Sequence, residues 1–173
     1  RGLKKARGLE FLFHLQPPEP EDTSPGAREP SRQLSRFVKS WLIHVPVRED
    51  PKGPRADPSL LDALRHEGRP LKGDEARAAF PDLSAFVDPA AEVATAAARL
   101  EATETARKAR AAIESERDES LRRMALSLKH QGLSRKEIAA QQKIAEAHYA
   151  DLLTALEGLG LALDSVCGFV ING

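Results

Sequence analysis

The sequence predicts an α+β fold: a small, mainly antiparallel sheet together with a long antiparallel helical hairpin of coiled-coil-like character. Three observations predict it. Apolar residues alternate with others near the N-terminus and again around Trp41 to Val47. Some 40 residues after Pro89 contain neither proline nor glycine. An apolar stretch interrupted by glycine closes the chain.

The first strand is predicted at Leu9 to Leu15, where Phe11, Phe13 and Leu15 share one face and Leu12 and His14 the other. The proline-rich run from Pro17 to Pro30 is expected to be a mobile surface loop. The segment Gln33 to Arg48 is read as a second strand, with Trp41, Ile43, Val45 and Val47 alternating against Leu42, His44 and Pro46. Because Pro46 has no amide donor, it pushes the end of that strand towards an edge or a bulge. Pro51 to Pro54 turns the chain, Pro58 and Ser59 open a short helix that Gly68 ends, and Asp74 to Phe80 has room for another.

From Pro89 to Lys129, Ala, Glu, Arg, Lys and Leu dominate, which predicts one helix about 60 Å long at 1.5 Å per residue. Its apolar stripe, Ala106, Ala109, Ile113, Leu121, Met124 and Leu128, is thin and broken by Arg117, so the helix needs a partner. Gly132 stops it, and Ser134 with Glu137 three residues on is a capping-box signature for the next helix. Ile138, Ala145, Tyr149, Leu152 and Leu156 form the stripe that faces back, until Gly158 and Gly160. Leu159 to Ile171 is predicted as a strand that joins the two N-terminal ones and leaves the hairpin as an arm. The organisation expected is therefore residues 1–88 for the N-terminal strands, loop and short helices, 89–157 for the hairpin and 158–173 for the returning strand.

With 173 residues, 41% hydrophobic and 30% charged, and a formal net charge of zero, the composition is that of a soluble globular protein and names no partner by itself. The single cysteine, Cys167, allows neither an internal disulfide nor a cysteine cage, so a cytoplasmic location is expected. No apolar run is long enough to span a bilayer, and no membrane partner is expected. The chain begins at Arg1, not Met, and is expected to be a piece of a longer polypeptide.

Catalytic chemistry finds no footing in the motifs. Gly158-Leu159-Gly160 lies between a helix and a following strand, whereas a phosphate cradle needs glycines at the start of a helix. The five histidines show no HExxH spacing; His14 and His44 could face each other across paired strands, but a half-exposed strand histidine is more often an ordinary surface residue. Cys167, inside an apolar strand, is expected to be buried and inert. Acidic neighbours such as Glu114 and Glu116, or Asp118 and Glu119, sit on a charged helix where ion pairs are the ordinary outcome. No catalytic residue, metal ligand or cofactor is expected in this segment.

One charge feature stands above this background. Between Leu121 and Lys143 the basic residues are Arg122, Arg123, Lys129, Arg135, Lys136 and Lys143 and the only acid is Glu137, a local excess of five positive charges. An anionic partner that offers phosphates is one reading of this run, and a solvated helical face with an incidental charge bias, the more common outcome on exposed helices, is the other. Aromatic residues that stack on bases are absent from this stretch.

The string Gln33-Leu34-Ser35-Arg36-Phe37 leading to Val45-Pro46-Val47-Arg48, then Ala106-Arg107-Lys108-Ala109-Arg110 and Asp118-Glu119-Ser120-Leu121, resembles the C-terminal region of the RapA (HepA) family of bacterial Swi/Snf-type ATPases. Leu161 to Val166 followed by Phe169-Val170-Ile171 is similar to that family's closing strand. The resemblance implies a parent with two RecA-like ATPase lobes that translocates on nucleic acid and remodels or recycles RNA polymerase. This segment would be its non-catalytic accessory domain, with the rest of the ATPase, RNA polymerase or another protein, and nucleic acid as partners. None of the family's ATPase motifs matches a position here, so no catalytic residue carries over. The alternatives are an independent nucleic-acid-binding module with a basic hairpin tip, part of a phage-defence helicase system, or a structural adaptor.

Overall fold

The alternation of large apolar residues near the N-terminus becomes an eleven-residue strand, β1 (Ala6–Gln16), in the computed structural model, which describes residues 5–18, 29–67 and 73–171. Leu9, Phe11, Phe13 and Leu15 are all buried, as their period of two requires. β2 (Leu42–Arg48) pairs antiparallel with β1, setting Phe11 opposite Val45 and Phe13 opposite Ile43. Gly8 stands so close to β2 that a Cβ there would collide with the carbonyl oxygen of Val47. With the two-residue β3 (Arg55–Ala56) and with β4 (Gly160–Ile171), these strands form an antiparallel sheet ordered β3-β2-β1-β4. The predicted α+β class, with the two ends of the chain in one sheet, is what the structure has.

Several expectations are corrected. Gln33 to Arg48 is not one strand: α1 (Glu29–Gln33) and a 3₁₀ turn over Leu34–Arg36 precede β2, which starts at Leu42. Leu34 is fully buried there, so packing decides the conformation of a run whose residue types also suit a strand. His14 and His44 do not face each other. The register puts His44 opposite Leu12 and His14 opposite Leu42, and the His44 ring bonds to Glu10 at 2.8 Å. Pro46 lies inside β2, with its carbonyl accepting from the Asp57 amide at 2.9 Å. Its missing donor thus falls on the side where the partner strand is only two residues long. Cys167 is exposed, not buried. β4 is the outer strand of the order, and Leu163 and Val166 on it are 52% and 42% exposed.

Pro58 to Leu60 forms a 3₁₀ turn whose amide at Ser59 donates to the Asp57 carboxylate, and α2 (Leu61–Glu67) and α3 (Gly73–Ala79) follow. Gly53, at φ +111°, makes the preceding turn possible. The stretch expected to be a mobile loop lies, over residues 19–28, outside the described residues, as does Gly68.

The long helix, α4 (Leu83–His130), has 48 residues and begins six positions before Pro89, where the sequence had placed its start. Pro89 removes the one amide that would have donated to the carbonyl of Ala85. It stands past the first turn, where a proline costs the helix that hydrogen bond, and α4 continues beyond it through an alanine-rich run of high helix propensity. α5 (Arg135–Glu157) follows after a short turn.

The fold separates into two compact units. One contains residues 1–15, 42–102 and 161–173: the sheet, α2, α3 and the first part of α4. Its core includes Leu9, Phe11, Ile43, Val45, Leu60 and Phe169, with Ala90, Ala94 and Ala98 fully buried. That four-residue spacing of the smallest side chains puts a close-packing stripe on one face of α4. Arg7 ties this unit together, donating from Nε to Glu49 at 2.7 Å and from its guanidinium to the Ala79 carbonyl, with the Phe80 ring 5.6 Å from its carbon. Gly168 packs against the same Phe80, where a Cβ would come within 2.9 Å of the ring.

The second unit contains residues 16–41 and 103–160, so the helical hairpin and α1. Arg110 pairs with Glu157, the Tyr149 hydroxyl lies 3.5 Å from Glu116, and Gln142 Nε2 donates to the Leu121 carbonyl at 3.4 Å. As one number rises the other falls, which is the antiparallel hairpin predicted. Ala109, Ile113, Tyr149, Leu152, Ala155 and Leu156 are buried. α1 packs against α5, and Leu34 and Val38 are buried beside it.

Candidate polyanion-binding site at the hairpin tip

The tip is built by two capping motifs that share the four-residue connection 131–134. At the end of α4 the Gly132 amide donates to the Lys129 carbonyl at 3.0 Å and the Leu133 amide to the Leu128 carbonyl at 3.1 Å. That is a Schellman motif, and it demands the left-handed backbone that Gly132 adopts at φ +82°. One residue later Ser134 caps α5: Ser134 Oγ and the Glu137 amide are 3.4 Å apart, and Glu137 Oε2 accepts from the Ser134 amide at 2.8 Å. Leu133 is at once the residue after the glycine in the first motif and the residue before the cap in the second. Hydrophobic contacts to Leu128 and to Ile138 belong to those positions, and all three side chains are half-buried.

All six basic residues singled out in the sequence, Arg122, Arg123, Lys129, Arg135, Lys136 and Lys143, are exposed. Lower on the hairpin, charge is matched. Glu104 bonds Arg107 at 2.8 Å and Lys108 at 3.4 Å, Arg110 pairs with Glu157, Arg117 pairs with Asp118, and Arg123 reaches Glu119 at 3.2 Å. The Arg107 guanidinium, hydrogen-bonded to Glu104, holds that carboxyl down to about 2, so the pair stays ionised.

Pairing stops at the tip. Among the described residues Arg122, Lys129, Arg135, Lys136 and Lys143 make no ion pair. The only acid between Leu121 and Lys143, Glu137, is committed to the cap, and its hydrogen bonds from Ser134 hold its carboxyl below the usual carboxylate range. Arg122 and Lys129 are seven residues apart, as are Lys136 and Lys143, so each pair lies along one line of its helix. Neither line lies in the helix-to-helix seam, which Ile113, Tyr149, Leu152 and Leu156 mark by their burial.

Near the tip the sequence reading missed two exposed aliphatic residues, Leu126 at 56% and Ile144 at 67% exposure. Both fall outside the apolar stripes, which is the signal that marks them as outward-facing. It also missed the tie at the base of the hairpin, where Arg36 Nη2 reaches Glu116 at 2.9 Å. Among the described residues no three His, Cys, Asp or Glu side chains are placed to hold a metal ion, and no helix is long and apolar enough to cross a membrane.

No family model and no curated protein matches this chain.

Proposed function

We propose that this chain is a non-catalytic accessory domain of a Swi/Snf-type, nucleic-acid-dependent ATPase, working in the cytoplasm beside the rest of that protein, and that its hairpin tip makes contact with an anionic partner. The observation that carries the reading is a contrast on the hairpin: Arg107, Lys108, Arg110, Arg117 and Arg123 have carboxylate partners, whereas among the described residues Arg122, Lys129, Arg135, Lys136 and Lys143 make no ion pair. Charges without an ion pair on the two helices that flank a doubly capped turn favour an external anion, because no internal ion pair has to be broken to bind it. The resemblance of Gln33 to Arg48 and of Leu161 to Ile171 to the RapA-type C-terminal region supplies the parent, and with it RNA polymerase remodelling or recycling as the setting.

The test is charge reversal at Arg122, Arg123, Arg135 and Lys136 together, read by nucleic-acid binding and by circular dichroism. Lost binding with unchanged helicity is the expected result; unchanged binding overturns the role of the tip. A nucleotide-turnover assay on the chain checks the other half, since turnover would overturn the non-catalytic reading. A second reading, an adaptor that docks on another protein, is favoured by the exposed aliphatic side chains of Leu126 and Ile144.

A further inference from the structure

Resting on that reading of the tip, we infer that its anionic partner is double-stranded nucleic acid, gripped by the phosphate backbone without reading the bases. The first ground is the arrangement of the charges. Arg122 and Lys129 on α4, and Lys136 and Lys143 on α5, are held at seven-residue intervals, about 10 Å along each helix axis. A fixed row of charges matches a fixed lattice of phosphates. A duplex offers that lattice at one charge per about 1.7 Å of axis, and each phosphate neutralised releases more counterion than on a single strand.

The second ground is what the tip lacks. Single-strand binders gain much of their affinity from bases stacked on aromatic rings. Between Leu121 and His148 there is no Phe, Tyr or Trp, and Tyr149 is buried. A flexible strand would therefore have to be ordered on this surface without stacking to offset the lost entropy.

The third ground is width. The major groove is about 12 Å across and admits one helix. Two helices packed side by side, with axes about 8–10 Å apart and each about 10 Å thick, do not enter it broadside. The charges along α4 and α5 are thus restricted to the phosphates that flank a groove, and contacts of that kind carry position but no sequence information.

The experiment uses the whole chain with three probes: a 20-base-pair duplex in two unrelated sequences, oligo-dT of equal length, and vesicles containing phosphatidylserine. Duplex binding tighter than oligo-dT, equal for both sequences, is expected. Five unpaired basic residues set a slope of log K against log salt of up to about −4.5, a loss of two to three orders of magnitude between 50 and 200 mM salt. R122Q/K129Q and K136Q/K143Q are each expected to reduce that slope by about 1.8, one phosphate contact per residue removed. K108Q, on the ion-paired base, leaves it unchanged. Oligo-dT bound as tightly as duplex, or a clear preference for one duplex sequence, overturns this inference while the anionic contact itself stands. Vesicle binding that is sensitive to the same substitutions, with no binding to duplex, also overturns it. Binding to none of the three probes at low salt overturns the role of the tip proposed above as well.

Discussion

Glu137 and Ser134 hold each other at the head of α5, the carboxylate accepting from the Ser134 amide at 2.8 Å and from its hydroxyl at 2.6 Å. The hydroxyl contact first, and the backbone contact second, lower the Glu137 pKa. A group whose folded pKa is depressed contributes fully above its ordinary pKa and loses that contribution as pH falls through the depressed value. Amide-exchange protection of the first turn of α5, corrected for intrinsic rates, is therefore expected to fall on acidification through the carboxylate range. In Glu137→Gln the neutral amide still reaches the Ser134 amide and the profile is flat. Identical profiles for the two proteins would count against the carboxylate as the origin.

Gly132 supplies the left-handed backbone on which the turn between α4 and α5 depends. Nothing lies within 4 Å of where its Cβ would stand, so Gly132→Ala meets no clash and is penalised only for φ +82°. A cost of about 1 kcal/mol is expected, readable as a lower urea midpoint at an unchanged m-value. Gly8→Ala is the opposite case, since its Cβ would strike the Val47 carbonyl, and a much larger loss is expected.

The seam of the hairpin and the alanine stripe of α4 answer to opposite changes. Ile113 is fully buried, and Ile113→Ala is expected to cost about 2–5 kcal/mol in denaturant unfolding. Ala94 is fully buried where there is no room to grow, and Ala94→Leu is expected to cost about 1–3 kcal/mol by overpacking. Leu126→Ala, at an exposed position, is expected to stay within about 0.5 kcal/mol.

Arg36 and Glu116 form an ion pair at 2.9 Å, with side chains 58% and 34% exposed. Solvent screening at that exposure limits the coupling, and a double-mutant cycle with Arg36→Ala and Glu116→Ala is expected to give less than about 1 kcal/mol, shrinking further with added salt. A larger, salt-insensitive coupling would assign the docking of α1 to this pair and not to the buried Leu34 and Val38.

How much was legible follows from the range of each signal. The hairpin turn was readable because Gly132, Ser134 and Glu137 act within a few residues, and backbone geometry there depends on little else. The strand over Leu9 to Leu15 was readable because its period of two is long and unbroken. Gln33 to Arg36 was not, since a short apolar run suits either a strand or a helical turn until its neighbours are known. The six basic residues of the tip were named from composition alone, but that five of them make no ion pair among the described residues required knowing which acids lie near them in space.

By itself, then, the sequence determined the α+β class, the two helices with their caps, and the strands drawn from the two ends of the chain, because these rest on hydrogen bonds and periodicities local to each segment. The tertiary structure decided the rest. It placed β4 at the outer edge and left Cys167, Leu163 and Val166 exposed. It buried Ala90, Ala94 and Ala98 as a packing stripe, carried α4 back through Pro89 to Leu83, and set His44 against Glu10. Burial and pairing depend on which surfaces meet, and residues far apart along the chain settle that jointly.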